Sequence, residues 1–302
     1  MHLHRSPSGW VVHAPAKLNL FFEVLARRDD GYHEIETLVY PINLYDTLFF
    51  KEDASGQIKF GLERVSGVWG PKGSGLGEVP LGADNLVVRA AELLRRRCGA
   101  PRGAVVRLVK RIPSAAGLGG GSSDAAAALA AANAAWGLGR SAAQLGSLAA
   151  ELGSDVPSFF AGGPAVCRGR GEQVQAAGDL GMLHFVVVRP PVGLSTAEVY
   201  ETCRPAARPR PLAPLLDALA RGDVARAGRL LFNRLEPAAR ELSPWIHRVE
   251  SELARLDLLG HGMTGSGSCY FGLCRHARHA GRVARHLQAK GIGVAFPVRG
   301  SR

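Results

Sequence analysis

The chain has 302 residues, of which 46% are hydrophobic and 21% charged, a balance that excludes a disordered, highly solvated polypeptide and is long enough to bury two cores. No run approaches the ~20 apolar residues of a bilayer span, and residues 1–7 lack the apolar stretch of a leader peptide, so a soluble, cytoplasmic protein without a membrane partner is expected. The formal charge of +11 comes mostly from arginines dispersed through segments such as Arg95-Arg96-Arg97 and 204–210, with no interleaved aromatics; it reads as a solvated face that also attracts polyanionic nucleotides, rather than as a nucleic-acid surface.

In chain order, residues 10–25 carry the β-branched and aromatic side chains of a strand, beginning Trp10-Val11-Val12-His13. Arg27-Arg28-Asp29-Asp30-Gly31 is a turn signal in which Gly31 can supply positive φ. Residues 34–50 return as strand, so a hairpin places Tyr32 and His33 at or just beyond its turn. The Gly- and Pro-rich segment 61–82 reads as a surface loop. Asp84-Asn85 precede a helix over 86–97, and a short buried strand over 104–108 leads to a glycine-rich segment. An Ala-rich helix follows as far as Trp136, ended by Gly137 and Gly139, and another covers 141–152. Strand character returns over 165–192, most clearly at Phe185-Val186-Val187-Val188. The remainder reads as helices over 213–232, 243–257 and 276–289, with a glycine turn at 262–268 and a strand at 269–274. The domain join is expected near residue 165, dividing the chain into 1–165 and 166–302. The five cysteines include no CxxC pair and read as reduced thiols. His276 and His279 read as surface-helix residues, with no metal set around them.

The strongest chemical signal is Pro113-Ser114-Ala115-Ala116-Gly117-Leu118-Gly119-Gly120-Gly121-Ser122-Ser123, between a buried strand and the Ala-rich helix. Its glycines let the backbone fold tightly with successive N–H groups aligned. A helix N-terminus behind them offers unpaired N–H groups and partial positive charge, a combination suited to nucleotide phosphates. Ser122 and Ser123 can cap the helix or offer hydroxyls to a phosphate or Mg²⁺. No Gly-Lys-Ser/Thr follows, which excludes a P-loop, and Ser122 stands where a dinucleotide GxGxxG would need glycine. A plain flexible linker is the alternative, disfavoured because the segment joins a buried strand to a helix that carries an acid near its start.

Two charged residues lie in apolar surroundings: Lys17 in Ala14-Pro15-Ala16-Lys17-Leu18-Asn19-Leu20, and Asp155 in Leu152-Gly153-Ser154-Asp155-Val156-Pro157. Buried charges rarely stand unpaired, so a Lys17–Asp155 pair would account for both. From spacing alone, a structural ion pair and an active-site pair remain equal readings. Phosphoryl transfer to an alcohol asks for such groups: an acceptor for the hydroxyl proton and a cation near the γ-phosphate.

These segments resemble the GHMP kinase superfamily. Pro-Ala-Lys-Leu-Asn-Leu (15–20), Asp-Gly-Tyr-His-Glu (30–34) and Thr-Leu (37–38) are similar to the amino-terminal signature of the branch serving the non-mevalonate isoprenoid pathway. Ala-Gly-Leu-Gly-Gly-Gly-Ser-Ser-Asp-Ala-Ala (116–126) resembles its nucleotide loop, and Leu-Gly-Ser-Asp-Val-Pro (152–157) the segment with its catalytic aspartate. Thr-Gly-Ser-Gly-Ser-Cys (264–269) resembles the superfamily's third motif. The resemblance implies a two-domain α/β fold of α+β two-layer type, with a ferredoxin-like carboxy-terminal domain. It implies ATP with Mg²⁺ as phosphate donor and cytidine diphosphate methylerythritol as the small-molecule substrate, in a monomer or homodimer. Asp155 would be general base, held ionised by Lys17, and 113–123 would wrap the ATP phosphates. Tyr32 and His33 would engage the cytosine, Tyr200 would lie over the same base, and Asn19 would contact substrate. Asp84-Asn85-Leu86 would border the nucleotide, with a plain helix cap an equal reading. A small residue at Ala115, where relatives often carry Gly, should be harmless. The rival readings are another GHMP kinase, of mevalonate or homoserine type, and a nonenzymatic nucleotide or nucleic-acid binding module.

Overall fold

The computed structural model describes residues 1–65 and 78–301. Contacts divide the chain into a first unit, Met1–Ala16, Leu44–Ser114 and Gly119–Gly162, and a second, Lys17–Asn43, Ala115–Leu118 and Gly163–Arg302. Two long strands, β2 (Gly9–Arg27) and β3 (His33–Asp53), run from one unit into the other along the chain.

In the first unit, β1 (His2–Ser6), the start of β2, the end of β3, β4 (Ile58–Arg64) and β5 (Gly103–Lys110) follow the order β1-β2-β3-β5-β4. β3 and β5 pair antiparallel, from Thr47↔Val109 to Asp53↔Gly103. β4 and β5 pair parallel, and helix α1 (Leu86–Cys98) lies in the crossover between them. Strand periodicity of two sorts the side chains of β5 by face. Ala104, Val106 and Leu108 are buried, whereas Val105 is 44% exposed. On the outer face Arg107 lies 4.0 Å over the Phe49 ring and pairs with Glu63 at 2.8 Å. The inner face packs with α1 and α2 (Gly120–Ala135) in one core that includes Phe50, Leu94, Val106 and Leu129. Ala125 to Ala132 of α2 are all buried, which the small side chain allows without loss of helix propensity. Helix α3 (Ala142–Ala149) begins with a Ser141–Gln144 capping box, and a 3-10 turn follows at Val156–Phe160.

The expected surface loop over 61–82 is corrected at its start: residues 61–64 complete β4, because the parallel ladder to β5 extends as far as Arg64↔Lys110 and overrides the weak strand preference of Gly61. Residues 66–77 of that loop lie outside the described residues. Asn85 caps α1, its Oδ1 accepting from Val87 N at 2.8 Å while its Nδ2 donates to Pro80 O at 2.6 Å.

In the second unit, β6 (Ala165–Gly169) pairs antiparallel with β3 and with β7 (Gln173–Ala176). β8 (His184–Arg189) opens a separate four-stranded sheet. It is followed by α4 (Thr196–Thr202), α5 (Ala213–Ala220), α6 (Val224–Arg229), β9 (Phe232–Asn233), α7 (Glu236–Leu242) and α8 (Pro244–Ala254). Then come β10 (Gly260–Met263), β11 (Tyr270–Cys274), α9 (Ala277–Ala289) and β12 (Val294–Arg299). The sheet order is β10-β11-β8-β12, antiparallel throughout. Counted from β8 this is second, third, first, fourth, with helical connections after the first and third strands, and that is the ferredoxin-like arrangement. Val186, Val188, Ile246, Val249, Val283 and Leu287 belong to the core between this sheet and its helices.

The single helix expected over 213–232 is two helices and a strand. Gly222 at φ 70° ends α5, and Asp223 Oδ1 caps α6 by accepting from Arg226 N at 2.9 Å. Phe232 and Asn233 then pair in parallel with Phe21 and Phe22 of β2. The apolar spacing of α5 and α6 is continuous enough to read as one helix; long-range pairing with β2 takes its last residues. Among the described residues no helix is long and apolar enough to cross a membrane.

Candidate active site

Strand alternation puts Lys17 and Asn19 on one face of β2. Lys17 is 3% exposed, and its Nζ donates to Asn19 Oδ1 at 2.5 Å. Asn19 is itself held from three sides. Its backbone N–H donates to Thr264 Oγ1 at 3.0 Å and its Nδ2 to Thr37 Oγ1 at 2.8 Å. The Thr37 hydroxyl donates onward to Phe21 O at 2.6 Å. Thr264 has one hydroxyl proton for two acceptors, Gly117 O at 3.1 Å and Asn19 Oδ1 at 3.3 Å. A fully buried set of this kind over-determines the rotamers it contains.

The turn that carries Thr264 also grips the glycine loop. Cys269 N donates to Ala116 O at 3.3 Å, the Thr264 hydroxyl reaches Gly117 O, and Lys17 N donates to Leu118 O at 3.0 Å. Three successive loop carbonyls are thereby turned to protein donors. In a trans peptide the following N–H points the opposite way, so the amides after them are directed away from that support, as an anion cradle requires. Gly117 has no alternative: its φ is 73°, and a Cβ there would sit 2.0 Å from Thr264 O. Ala115 is a second constrained position in the loop. It takes φ 50°, the one non-glycine residue at positive φ among the described residues, where a side chain costs about 1–2 kcal/mol. Ala115→Val, with a branched Cβ in that region, is expected to destabilise by about 1–2 kcal/mol in urea unfolding, whereas Ala115→Gly should not.

Beyond the loop, Gly119 at φ 67° is the N-cap of α2, and no side chain caps the helix. Ser122 and Ser123 therefore do not serve as caps, because both lie inside the first turn. Ser122 is half-buried; Ser123 is buried with its Oγ lacking a partner among the described residues. An uncapped N-terminus behind inward-held carbonyls fits a polyphosphate. Pro113 is buried and Ser114 half-buried at the entrance to the loop, and Gly121 is exposed at its end. Asp155 precedes the 3-10 turn and is half-buried, its carbonyl accepting from the Ser158 hydroxyl at 2.7 Å.

Sequence reasoning missed a buried ion cluster at the two ends of the loop. Lys110, the last residue of β5, donates to Asp46 Oδ2 at 2.5 Å and to Asp124 Oδ2 at 2.6 Å. Asp46 Oδ1 also accepts from Ile112 N at 2.9 Å and from Arg111 N. Two carboxylates then face one ammonium. Burial, followed by the Asp46 charge, pushes the Asp124 carboxyl well above the usual range. Asp124 Oδ1 has no partner among the described residues, whereas Asp46 Oδ1 accepts from two backbone amides. The signal was present in the sequence: Lys110 ends an apolar strand, and the same reasoning that singled out Lys17 applies to it.

The hairpin turn forms as expected, with Arg28 N donating to Tyr32 O at 2.8 Å and Gly31 at φ 84°. His33 opens β3 and meets Tyr200 of α4, their ring centroids 5.1 Å apart at 36°. The structure thus brings together residues 167 positions apart in the chain. Tyr32 is 53% exposed, and its ring carries the Arg170 guanidinium 4.8 Å above it. Burial, then the Arg27 charge, moves the His33 pKa below its ordinary value.

Residues 85–163 match the family model described as GHMP kinases N terminal domain, and residues 215–293 match GHMP kinases C terminal. A 4-diphosphocytidyl-2-C-methyl-D-erythritol kinase of Pelotomaculum thermopropionicum is 43% identical over 273 residues, 90% of this chain and 91% of that one. The chain belongs to this kinase family. A crystal structure of 4-(cytidine 5'-diphospho)-2C-methyl-D-erythritol kinase has 38% identity and a TM-score of 0.79, covering 97% of this chain and 100% of its own. A homoserine kinase from Cytophaga hutchinsonii shares the fold at 18% identity, with a TM-score of 0.75 over 100% of this chain and 97% of that one. The kinase is thus a GHMP fold with a ferredoxin-like part in its second unit, and family membership makes it an enzyme rather than a binding module.

Proposed function

We propose that the enzyme transfers the γ-phosphoryl group of ATP to the 2-hydroxyl of 4-diphosphocytidyl-2-C-methyl-D-erythritol, in the non-mevalonate route to isoprenoid precursors. The observation that carries this substrate is the meeting of His33 and Tyr200, since mevalonate and homoserine contain no base to stack. In this reading Tyr32 and His33 engage the cytosine, Tyr200 lies over it, and Asn19 contacts the polyol. Base–aromatic stacking contributes about 1–3 kcal/mol per base. Residues 113–123 hold the ATP phosphates on their outward amides and on the α2 N-terminus.

Asp155 accepts the proton of the 2-hydroxyl, and the Lys17 ammonium orients the alcohol and offsets charge on the transferring group. In a loose transition state the proton leaves late, so positioning and electrostatics lower most of the barrier. Mg²⁺ would ride on the phosphates, with the Ser122 hydroxyl as the protein's own contribution. Bound there, the ion would neutralise phosphate charge. The same reading makes 1–165 the nucleotide-binding domain and 166–302 the second domain of a cytoplasmic monomer or homodimer that binds neither nucleic acid nor membrane.

An ATPase-coupled assay that compares the cytidine substrate with mevalonate and homoserine tests the assignment; turnover of either rival at equal efficiency overturns it. A second outcome concerns His33. A base edge needs the neutral ring, with one donor and one acceptor. Because its pKa lies below the ordinary value, KM for the cytidine substrate should be flat above pH ~6.5 and rise only in more acidic solution. His33→Ala should raise that KM at every pH, remove the acid limb, and leave KM for ATP nearly unchanged. Equal losses for both substrates would remove the base-reading role.

A further inference from the structure

Neither the motifs nor the ion cluster accounts for Asn233, a 4%-exposed residue of the two-residue strand β9. Its Nδ2 donates both protons, to Met263 O and to Gly265 O, each at 2.8 Å, and its Oδ1 accepts from Leu235 N at 2.9 Å. Those two carbonyls flank Thr264. A single carboxamide thus holds the backbone on both sides of the residue that supports Asn19 and the Gly117 carbonyl. Glu236, three residues on, adds a long contact to Met263 N at 3.4 Å and is fixed by Arg240 at 3.0 Å. Asn233 itself is placed by pairing beside Phe22 in β2, and by the next residue, Arg234. The Arg234 guanidinium makes two hydrogen bonds to the buried Glu23 carboxylate, at 2.7 and 3.0 Å.

We infer that Asn233 is a positioning residue for the reaction: through the peptides flanking Thr264 it sets the height of the Thr264 hydroxyl, and through Asn19 the direction of the Lys17 ammonium. The path runs Asn233, backbone 263–265, Thr264 Oγ1, Asn19, Lys17 Nζ, and every side chain on it is buried. Asparagine suits the position because the Met263 and Gly265 carbonyls need two donors from one group. Aspartate offers none, and serine offers one. The bonds of the Asn233 carboxamide end on backbone 263–265 and Leu235, so losing them should fall on the chemical step more than on either binding step. A residue serving only the fold would leave the chemical step unchanged, since its loss lowers the folded fraction and leaves turnover per folded molecule intact.

This inference rests on the proposed role of Lys17, and the experiment separates the two. In the full chain, kcat per folded enzyme and both KM values are measured for Asn233→Ala, Thr264→Val, Thr264→Ser, the double variant Asn233→Ala/Thr264→Val, and Lys17→Met. The expected result for Asn233→Ala and Thr264→Val is a kcat about 10–100-fold lower, an ångström-scale misplacement effect; in Asn233→Ala, which leaves the Thr264 hydroxyl present, KM for ATP and for the cytidine substrate should stay within about threefold. Thr264→Ser, which keeps the hydroxyl, should stay within about threefold of the parent. The double variant should be no slower than the worse single one, because both break one path. If Asn233→Ala does not fold, Asn233→Asp, which keeps the acceptor for Leu235 N and removes both donors, should give the same kcat loss. A folded Asn233 variant with kcat within twofold of the parent overturns the inference, as do additive losses in the double variant. Full turnover in Lys17→Met would instead overturn the role of Lys17.

Discussion

Replacing Asp155 by alanine is expected to lower kcat by about 10²–10⁴-fold while ATP affinity stays nearly unchanged. The reason lies in what the two parts of the reaction require. In the proposed reading, phosphate binding draws on the outward amides of the glycine loop and on the uncapped start of α2, and removing one carboxylate elsewhere in the chain leaves those donors in place. The alcohol must still lose its proton, and water at neutral pH is a poorer and unpositioned acceptor. Asp155→Asn should fall nearly as far, because the amide keeps the shape and loses the basicity. Steady-state kinetics with saturating ATP, together with an ATP titration of each variant, separates turnover from affinity. Unchanged turnover in Asp155→Ala would remove it as base.

The second large effect concerns stability. Lys110→Met should destabilise the enzyme by about 3–5 kcal/mol, because it leaves the Asp46 and Asp124 carboxyls buried without their shared cation. Gly120 leaves little slack there, since a Cβ on it would stand 3.0 Å from Lys110 Nζ. Asp124→Asn should behave in the opposite way. The asparagine keeps an oxygen for Lys110 and removes the like charge beside Asp46. The sign of the pH dependence follows from the raised Asp124 pKa. Its stabilising contribution is complete below the ordinary carboxylate range and is lost as pH rises through the raised folded value. Asparagine does not titrate, so the variant should gain on the parent as pH rises. Urea midpoints of the parent and both variants at acidic and neutral pH give both comparisons. A Lys110→Met midpoint equal to the parent's would show that the cluster contributes nothing to stability.

The signals that pointed to the candidate site are local. A run of glycines between a buried strand and an Ala-rich helix has few other uses, and Gly117 at φ 73° shows why the backbone demands them. Lys17 stood out as a charge in an apolar strand, and the Asp-Asp-Gly turn put Tyr32 and His33 at or just beyond the bend, where the returning strand begins one residue earlier than expected, at His33. The same local reasoning overreached where long-range pairing competes with propensity. Residues 61–64 joined a sheet despite Gly61, and Phe232 and Asn233 left a helical pattern to pair with β2. The positive φ of Ala115 became visible only with the backbone traced.

Length, spacing and turn chemistry by themselves pointed to two cores, a glycine loop between a strand and a helix, a lysine in an apolar strand, and Tyr32 and His33 beside a turn. Each of these depends on neighbours a few residues away, and such neighbours are written next to one another. Only the tertiary structure decided what holds those groups: the Thr264 hydroxyl on the Asn19 amide across 245 residues of chain, the Asn233 carboxamide across Thr264, and two carboxylates on Lys110. A buried donor takes whatever acceptor the fold delivers within about 3 Å, and no pattern in a linear sequence specifies which one that will be.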